Sequence, residues 1–344
     1  MAATGQDGLW TVRELTDPGV PAEVPSRASL LPVRPPGVPR SLRWGLARYQ
    51  VILVNISGGK DSQATLDVTV AAADAAGVWY RLVVVFADLG EADEWPGTLE
   101  LAREHAEHYG VRFEVVCREV TGADGARRPQ GLIEHIEARG MWPDAARRYC
   151  TSDAKRAPVY RLLTRLAAEQ RDAGVEGPVR ILNVMGLRAQ ESPGRRLLAP
   201  FSHDERASNS RRHVDQWLPV HGWSVTQVWD RIEQAGTRPH WVYLLGMPRL
   251  SCRFCVLASR AALILAARID PAGARRRAEA EDTMGHRFRV DLSMREVVAA
   301  AEAAGPVTAA EITAAVRASR RFTAALMTAE ARPAGTFPVE DWVA

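Results

Sequence analysis

From Gln50 to Met185 the chain alternates short apolar runs with longer stretches of helical period. The runs at 50–55, 81–87, 112–117 and 179–185 are dense in Val, Ile, Leu and Phe, the pattern of strands covered on both faces. Segments 61–76, 95–109 and 155–173 instead read as helices. Strands alternating with helices at this spacing predict right-handed βαβ units and a parallel sheet, an α/β fold of the Rossmann-like, doubly wound class. Ligands of such sheets sit over the carboxyl ends of the strands. Three polar clusters are expected there: residues 57–62, Asp88, and the stretch from Gly186 to Arg188.

The flanks follow other patterns. Residues 1–49 hold seven prolines between Pro18 and Pro39 with little periodicity, and are expected to form a loosely ordered extension ahead of a nucleotide-binding domain at 50–257. Residues 258–344 turn alanine- and arginine-rich and are expected to be a helical C-terminal region. There Ser293-Met294-Arg295-Glu296 has the form of a capping box for a helix reaching Ala304 before Gly305, and a further helix is expected at 309–331. Ser224 is an N-cap candidate for a helix with Val228, Trp229 and Ile232 on its apolar side, and Trp217, Trp223 and Trp229 read as core rather than as ligand-stacking groups.

Composition changes this picture little. With 47% apolar and 25% charged residues the chain can build a sizeable core, and a net charge of +3 is too small to argue for nucleic acid. The local distribution says more, because Arg188, Arg195, Arg196, Arg206, Arg211 and Arg212 crowd one segment that could line an anionic pocket or form a solvated loop. No apolar run approaches the ~20 residues that span a bilayer, and the N-terminus lacks a basic region followed by an apolar core. Four cysteines fit a reducing compartment better than a disulfide scaffold. A cytoplasmic protein with no membrane partner is the expectation.

Candidate chemistry begins at Ser57-Gly58-Gly59-Lys60-Asp61-Ser62. A strand delivering two glycines, a lysine and an aspartate into a helix has phosphate-binding geometry: the glycines admit a ligand close to the backbone, and the helix N–H groups point at the anion. The spacing is not that of a Walker A loop. Tyr149-Cys150-Thr151 with Lys155, behind Arg147 and Arg148, can place a cation beside a phosphate or sulfate, or can simply be a surface charge. Gly186-Leu187-Arg188-Ala189-Gln190-Glu191-Ser192, with Arg195 and Arg196 close behind, sets an arginine and a glutamate three apart, expected on one helical face as a clamp for a polyanion. Arg238-Pro239-His240, Tyr243, Gly246 and Arg249 lead to Cys252-Arg253-Phe254-Cys255. A single Cys-x-x-Cys is a redox pair, half a metal site or coincidence, and without a second one a closed four-cysteine zinc site is not expected.

Taken in order, these motifs resemble the phosphoadenosine phosphosulfate (PAPS) reductase family of the PP-loop, adenine nucleotide alpha hydrolase-like superfamily, over residues 50–257. They are the 57–62 string, Phe86-Ala87-Asp88, Arg148-Tyr149-Cys150-Thr151 with Lys155, Gly186-Leu187-Arg188 with Glu191-Ser192, Pro219-Val220-His221-Gly222-Trp223-Ser224, and Cys252 with Cys255. The first is similar to the signature of the PP-loop ATP pyrophosphatases, which cleave between the α and β phosphates. The resemblance implies a sheet that binds an adenine nucleotide, with Ser57, Gly58, Gly59, Lys60, Asp61 and Ser62 on the terminal anion. Lys155, Arg188 and Arg195 or Arg196 would complete a positive pocket, oriented by Glu191. Asp88 would lie beside the nucleotide, although Leu89 stands where the family often has threonine.

Departures from the family pattern narrow the reading. Reductases of the family use a cysteine in a mobile Glu-Cys-Gly-Leu-His tail, and here no cysteine follows Cys255. Iron–sulfur members place two adjacent cysteines before the Cys-x-x-Cys, and here that pair is Cys150-Thr151. Cys150, Cys252 and Cys255 are thus left as ligands that could hold a [4Fe–4S] cluster with one iron open, with zinc and bare thiols as the competing readings. The pattern looks like the sulfur-inserting branches, which include DNA-phosphorothioation sulfurtransferases and tRNA thiolases.

The implied activity is adenylation of an acceptor from Mg·ATP with pyrophosphate release, followed by sulfur transfer. Lys60 would stabilise the leaving phosphates, Asp61 would contribute to Mg²⁺ binding or cap the helix, and Cys252 or Cys255 would pass on sulfur. Implied partners are a nucleic-acid acceptor (DNA or tRNA) and a sulfur donor protein. Two alternatives stand: reduction of PAPS to sulfite by an external thiol, and a non-catalytic nucleotide-binding module associated with nucleic acid.

Overall fold

The computed structural model describes residues 45–327. The prolines of the N-terminal extension and the last residues of the expected final helix lie outside that range.

Six strands form the main sheet in the order β3-β2-β1-β6-β8-β7. They are β1 (Val51–Ile56), β2 (Leu82–Asp88), β3 (Arg112–Cys117), β6 (Val179–Met185), β7 (Phe201–His203) and β8 (Arg212–Trp217), while β4 (Glu119–Thr121) and β5 (Arg127–Pro129) pair in a separate hairpin. All pairings in the main sheet are parallel except β7 with β8. The four strands legible as apolar runs fall within a residue of their expected bounds. β7 and β8 had no such signature, since β8 (Arg-His-Val-Asp-Gln-Trp) is mostly polar and β7 has three residues.

Helices cover both faces, as the doubly wound class requires. On one face α1 (Lys60–Ala75) and α2 (Thr98–His108) pack through Leu66, Val70 and Ala102 onto Ile52, Val54, Val84 and Phe86. On the other, α4 (Ala157–Asp172) packs Leu162, Leu163 and Leu166 onto Leu53, Val85 and Ile181. The chain thus changes faces between β1 and β6, which are neighbours. A crevice at the carboxyl ends of two such strands is where ligands of open α/β sheets bind.

α1 is buried along almost its whole length, because α5 (Val225–Gln234) covers its outer side through Val228 and Ile232. Asp67 is carried inside with it, and Arg231 of α5 and Tyr109 (2.7 Å) both bond its carboxylate. A buried charge stays compatible with folding when it is paired and hydrogen-bonded in this way. α5 opens on Ser224 with a capping box to Gln227, and Trp217 and Trp229 are buried core, as the sequence pattern implied.

Past α3 (Leu132–Arg139), the C-terminal helices are α6 (Arg260–Ile269), α7 (Pro271–Met284), α8 (Met294–Ala304) and α9 (Ala309–Arg320). They share one apolar core with Leu89, Trp95, Ile133, Trp142 and Tyr149. The capping box at Ser293 opens α8, which ends at Ala304 as expected. The helix expected at 309–331 is shorter: α9 stops at Arg320, and the chain turns so that Phe322 meets the Trp229 ring, centroids 5.6 Å apart, and Ala324 N–H donates to Glu233 (2.8 Å). No described helix is long and apolar enough to cross a membrane.

Candidate active site

The residues after β1 form a tight cradle. Gly58 takes φ 70°, in the left-handed region that favours glycine, and a Cβ there would lie 2.9 Å from Thr98 Cγ2. The Ser62 hydroxyl closes the turn, donating to Gly59 C=O (2.8 Å) and accepting from Ser57 N–H (3.1 Å). α1 then begins at Lys60, and the N-terminus of a helix leaves its first N–H groups without intrahelical partners and favours an anion. The loop after β6 closes against it: a Cβ on Gly186 would lie 2.7 Å from Asp61 C=O, so only glycine lets these backbones meet.

Lys60 is only 1% exposed. Its ammonium lies 3.1 Å from Asp61, and the Tyr243 ring sits 5.6 Å beneath it. The Tyr243 hydroxyl accepts from Lys60 N–H (3.1 Å) and Leu250 N–H (3.2 Å), joining the α1 N-terminus to the segment before Cys252. Burial pushes the Lys60 ammonium below the ordinary lysine range, against the pull of Asp61. Burial would raise Asp61, but the charges of Lys60 and Arg188 outweigh it and hold the carboxyl below its usual range.

Arg188 departs from the expected clamp. It precedes a 3-10 turn, Ala189–Glu191, rather than riding a helical face, and its side chain is 1% exposed. The guanidinium bonds Asp61, Gln190 (3.1 Å) and Trp223 C=O (3.3 Å), while its N–H donates to Glu191 (2.9 Å). Arg188 therefore neutralises Asp61 from behind. Glu191 is the hub instead, pairing with Arg195 and, at 3.0 Å, with Arg249. Arg196 is exposed next to Arg195.

A second group lies beside this one. Cys150 and Lys155 sit on a short helical turn and a π-turn, Ser152–Arg156, leading into α4, and Cys252 and Cys255 flank a loop before α6. The Cys252 thiol donates to Cys255, which drops the Cys255 thiol to about 6, helped by Lys155 and Arg249, while Cys252 is pushed well up. Cys150 is raised by burial and feels both Cys255 and Lys155. Cys255 is thus largely thiolate at neutral pH, the form that attacks electrophiles and binds metals. The fourth cysteine, Cys117, ends β3 opposite Asp88.

Asp88 ends β2, and its carboxylate accepts from Gly90 N–H (2.8 Å). The following loop carries Glu94, whose carboxyl is raised to about 7 by burial, with Lys155 opposing and Asp88 and Asp93 reinforcing. Glu94 was not singled out in the sequence, and Tyr243 and Arg249 were named there only as leading to the Cys-x-x-Cys, with no role assigned. Tyr243 and Arg249 precede the Cys-x-x-Cys without a motif of their own, and Glu94 is one acid among several in 91–94 whose environment no local pattern reveals.

The model of the phosphoadenosine phosphosulfate reductase domain matches residues 51–258, more than half of the chain. The chain belongs to the PAPS reductase family. This assignment agrees with the parallel sheet and the cradle after β1. Among curated relatives of this PAPS reductase-family chain, a 37.8 kDa uncharacterized protein of Escherichia phage 186 is 25% identical over 174 residues, 50% of this chain and 47% of that protein. An uncharacterized protein of Methanocaldococcus jannaschii is 24% identical over 204 residues, 59% of this chain and 36% of that protein. The chain thus spans less than half the length of these curated relatives. Remote structural likenesses include the PAPS reductase of Candida auris (16% identity, TM-score 0.39, 72% of this chain and 98% of that one). A second is the FMN adenylyltransferase of Candida glabrata with FMN and an ATP analogue (13% identity, TM-score 0.38, 65% and 60%).

Proposed function

We propose that this chain binds an adenine nucleotide over Ser57, Gly58, Gly59, Lys60, Asp61 and Ser62, acts at its α-phosphate to adenylate an acceptor, and then directs sulfur to that acceptor from the cysteine site. The observation that carries the reading is Tyr243, whose hydroxyl accepts from Lys60 N–H of the cradle and from Leu250 N–H just before Cys252, with Arg249 of the same segment paired to Glu191. Anion-binding and thiolate groups are thereby held on one short segment.

In the first step the α1 N–H groups and Lys60 receive the polyphosphate. Its charge competes with Asp61 for the Lys60 ammonium, and Arg188 keeps Asp61 paired as Lys60 turns away. An acceptor oxygen attacks the α-phosphorus, pyrophosphate leaves, and donors already in place stabilise the charge growing on it. Asp61 or Asp88 would hold Mg²⁺, both being carboxylates at the strand ends. In the second step a sulfur nucleophile displaces AMP from the adenylated acceptor. Cys255, held ionised first by the Cys252 hydrogen bond with Lys155 adding to it, would ligate the group that presents this sulfur rather than give up its own, and Glu94, whose carboxyl is raised to about 7 by burial, can give a proton to the departing phosphate.

The reading of the three thiols as iron–sulfur ligands rests on their chemistry, since thiolates are the usual ligands of such clusters, and on the lowered pKa of Cys255, which favours the ligating form. Cys150, Cys252 and Cys255 would hold the cluster, whose open iron would supply a place for sulfide. The acceptor reading, DNA or tRNA, rests on the exposed arginines near Arg195 and on the family's sulfur-inserting branches.

The test is thermal stability with Mg·ATP and, separately, with PAPS, using Lys60→Ala as control. Ligand at about 100 times its dissociation constant adds ~2.7 kcal/mol, several degrees in melting midpoint. A shift with ATP that Lys60→Ala abolishes supports adenylation. A shift with PAPS alone would overturn it in favour of the reductase reading with an external thiol. ATP binding without AMP or pyrophosphate release, across DNA and tRNA acceptors, would leave the non-catalytic module.

A further inference from the structure

Away from the strand ends, the β7–β8 edge of the sheet gathers His203, His213 and Asp215 on one face. The pleat explains why: residues two apart on β8 share a face, and His203 lies directly across from Asp215 in the antiparallel register. His203 Nδ1 lies 3.1 Å and His213 Nε2 3.0 Å from the same oxygen, Asp215 Oδ1. The imidazoles stack with centroids 4.3 Å apart. All three ligand atoms fall within 4.8 Å of one another.

We propose that His203, His213 and Asp215 form a binding site for a divalent transition cation of the zinc class, separate from the thiol group. Ligands about 2.0–2.1 Å from a tetrahedral zinc stand roughly 3.3 Å apart, close to the spacing seen. Two imidazoles and a carboxylate are a donor set that suits such ions. Asp215 divides its oxygens accordingly. Oδ2 accepts from the Tyr49 hydroxyl (2.6 Å) and faces Arg180 at 3.8 Å, leaving Oδ1 to the imidazoles. A hydrogen-bonded ligand carboxylate is the usual outer-shell support of a metal site. Asp215 is 8% exposed while His203 and His213 are 40% and 35% exposed, so a fourth position opens toward water. On binding, His203 Nδ1 and His213 Nε2 present lone pairs, and each N–H moves to the other ring nitrogen, which can donate to water.

The ion would clasp β7, a strand of three residues, onto β8. β7 ends the segment that carries Glu191 and Arg195, so the clasp fixes the far anchor of the anion pocket.

The test uses the full chain, untagged and freed of metal with a chelator. Co²⁺ is titrated with optical detection, and melting is followed with and without Zn²⁺, on the wild type and on His203→Ala/His213→Ala. Expected are a Co²⁺ equivalent with tetrahedral ligand-field bands but no thiolate-to-cobalt charge transfer of its own, distinct from any taken up by the thiols, a Zn²⁺-dependent rise in the midpoint, and at least a 100-fold weaker affinity for that equivalent in the double variant. His213→Gln, a substitution at a part-exposed position that keeps the fold, should weaken binding in the same direction. Absence of a non-thiolate site in the wild type, or affinity unchanged in either variant, overturns the proposal.

Discussion

Cys255 shows how far one thiol can be moved by its neighbours. Its drop to about 6 comes first from the Cys252 hydrogen bond, with Lys155 and Arg249 adding to it. A thiol held down in this way reacts across the neutral range, where an ordinary one is mostly protonated. Alkylation of Cys255 by iodoacetamide, followed by peptide mass spectrometry, should rise with pH around a midpoint near 6. Cys252→Ala removes the largest cause and should move that midpoint upward, toward an ordinary thiol. A wild-type midpoint above 8 would contradict the assigned pairing. Residue roles of this kind were only partly legible in the sequence. Lys60 and Asp61 follow from the glycine turn, but the partner of Asp61 is Arg188, 127 positions away, and only the folded sheet brings them together. Tyr243 and Arg249 were noted ahead of the Cys-x-x-Cys, but their bonds to Lys60 and Glu191, 183 and 58 positions away, appear only in the fold.

At the scale of elements, the strands covered on both faces were readable because burial on two sides leaves continuous apolar runs. β8, an inner strand between β6 and β7, carries no such mark: four of its six residues are polar, His213 and Asp215 among them. The meeting of β6 and α1 is equally silent in sequence, although it depends on one glycine. Gly186→Ala would place a methyl 2.7 Å from Asp61 C=O and 2.8 Å from Ser62 Cα, both backbone atoms that cannot swing aside. Overpacking of this sort costs about 1–3 kcal/mol, and here it also displaces the α1 N-terminus. The expected result is a lower melting midpoint together with lost nucleotide binding. Gly222→Ala, with nothing within 4 Å of the added methyl, should change neither. Equal behaviour of the two variants would rule out the close approach as the reason for Gly186.

At the scale of the molecule, the loop after β2 is where the nucleotide-binding sheet and the C-terminal helices meet. Asp93 lies buried there, its carboxylate accepting from Arg277 of α7 (2.9 Å) and from Ile133 N–H (2.8 Å). Arg277 also donates to Ala92 C=O (2.6 Å). Removing one partner of such a pair leaves an uncompensated buried charge, at a cost of about 3–5 kcal/mol. Arg277→Ala should therefore lower stability in urea by that order, whereas Arg277→Met with Asp93→Leu should lose much less. Equal losses would mean that the pair contributes little beyond its packing. Arg253, between the two cysteines, completes the junction: its N–H donates to Asp93 C=O (2.7 Å), and its guanidinium holds Glu91 C=O (3.0 Å), Glu94 C=O and Asp270. One short loop is thus gripped by the nucleotide-side strand, by the Cys-x-x-Cys and by α7. Whatever bears on Asp88 from one side and on Cys252 and Cys255 from the other then works against the same spring. Thermodynamic reciprocity requires that any change a nucleotide makes in the affinity of the thiols for their ligand be returned by that ligand, by the same factor, in the affinity for the nucleotide.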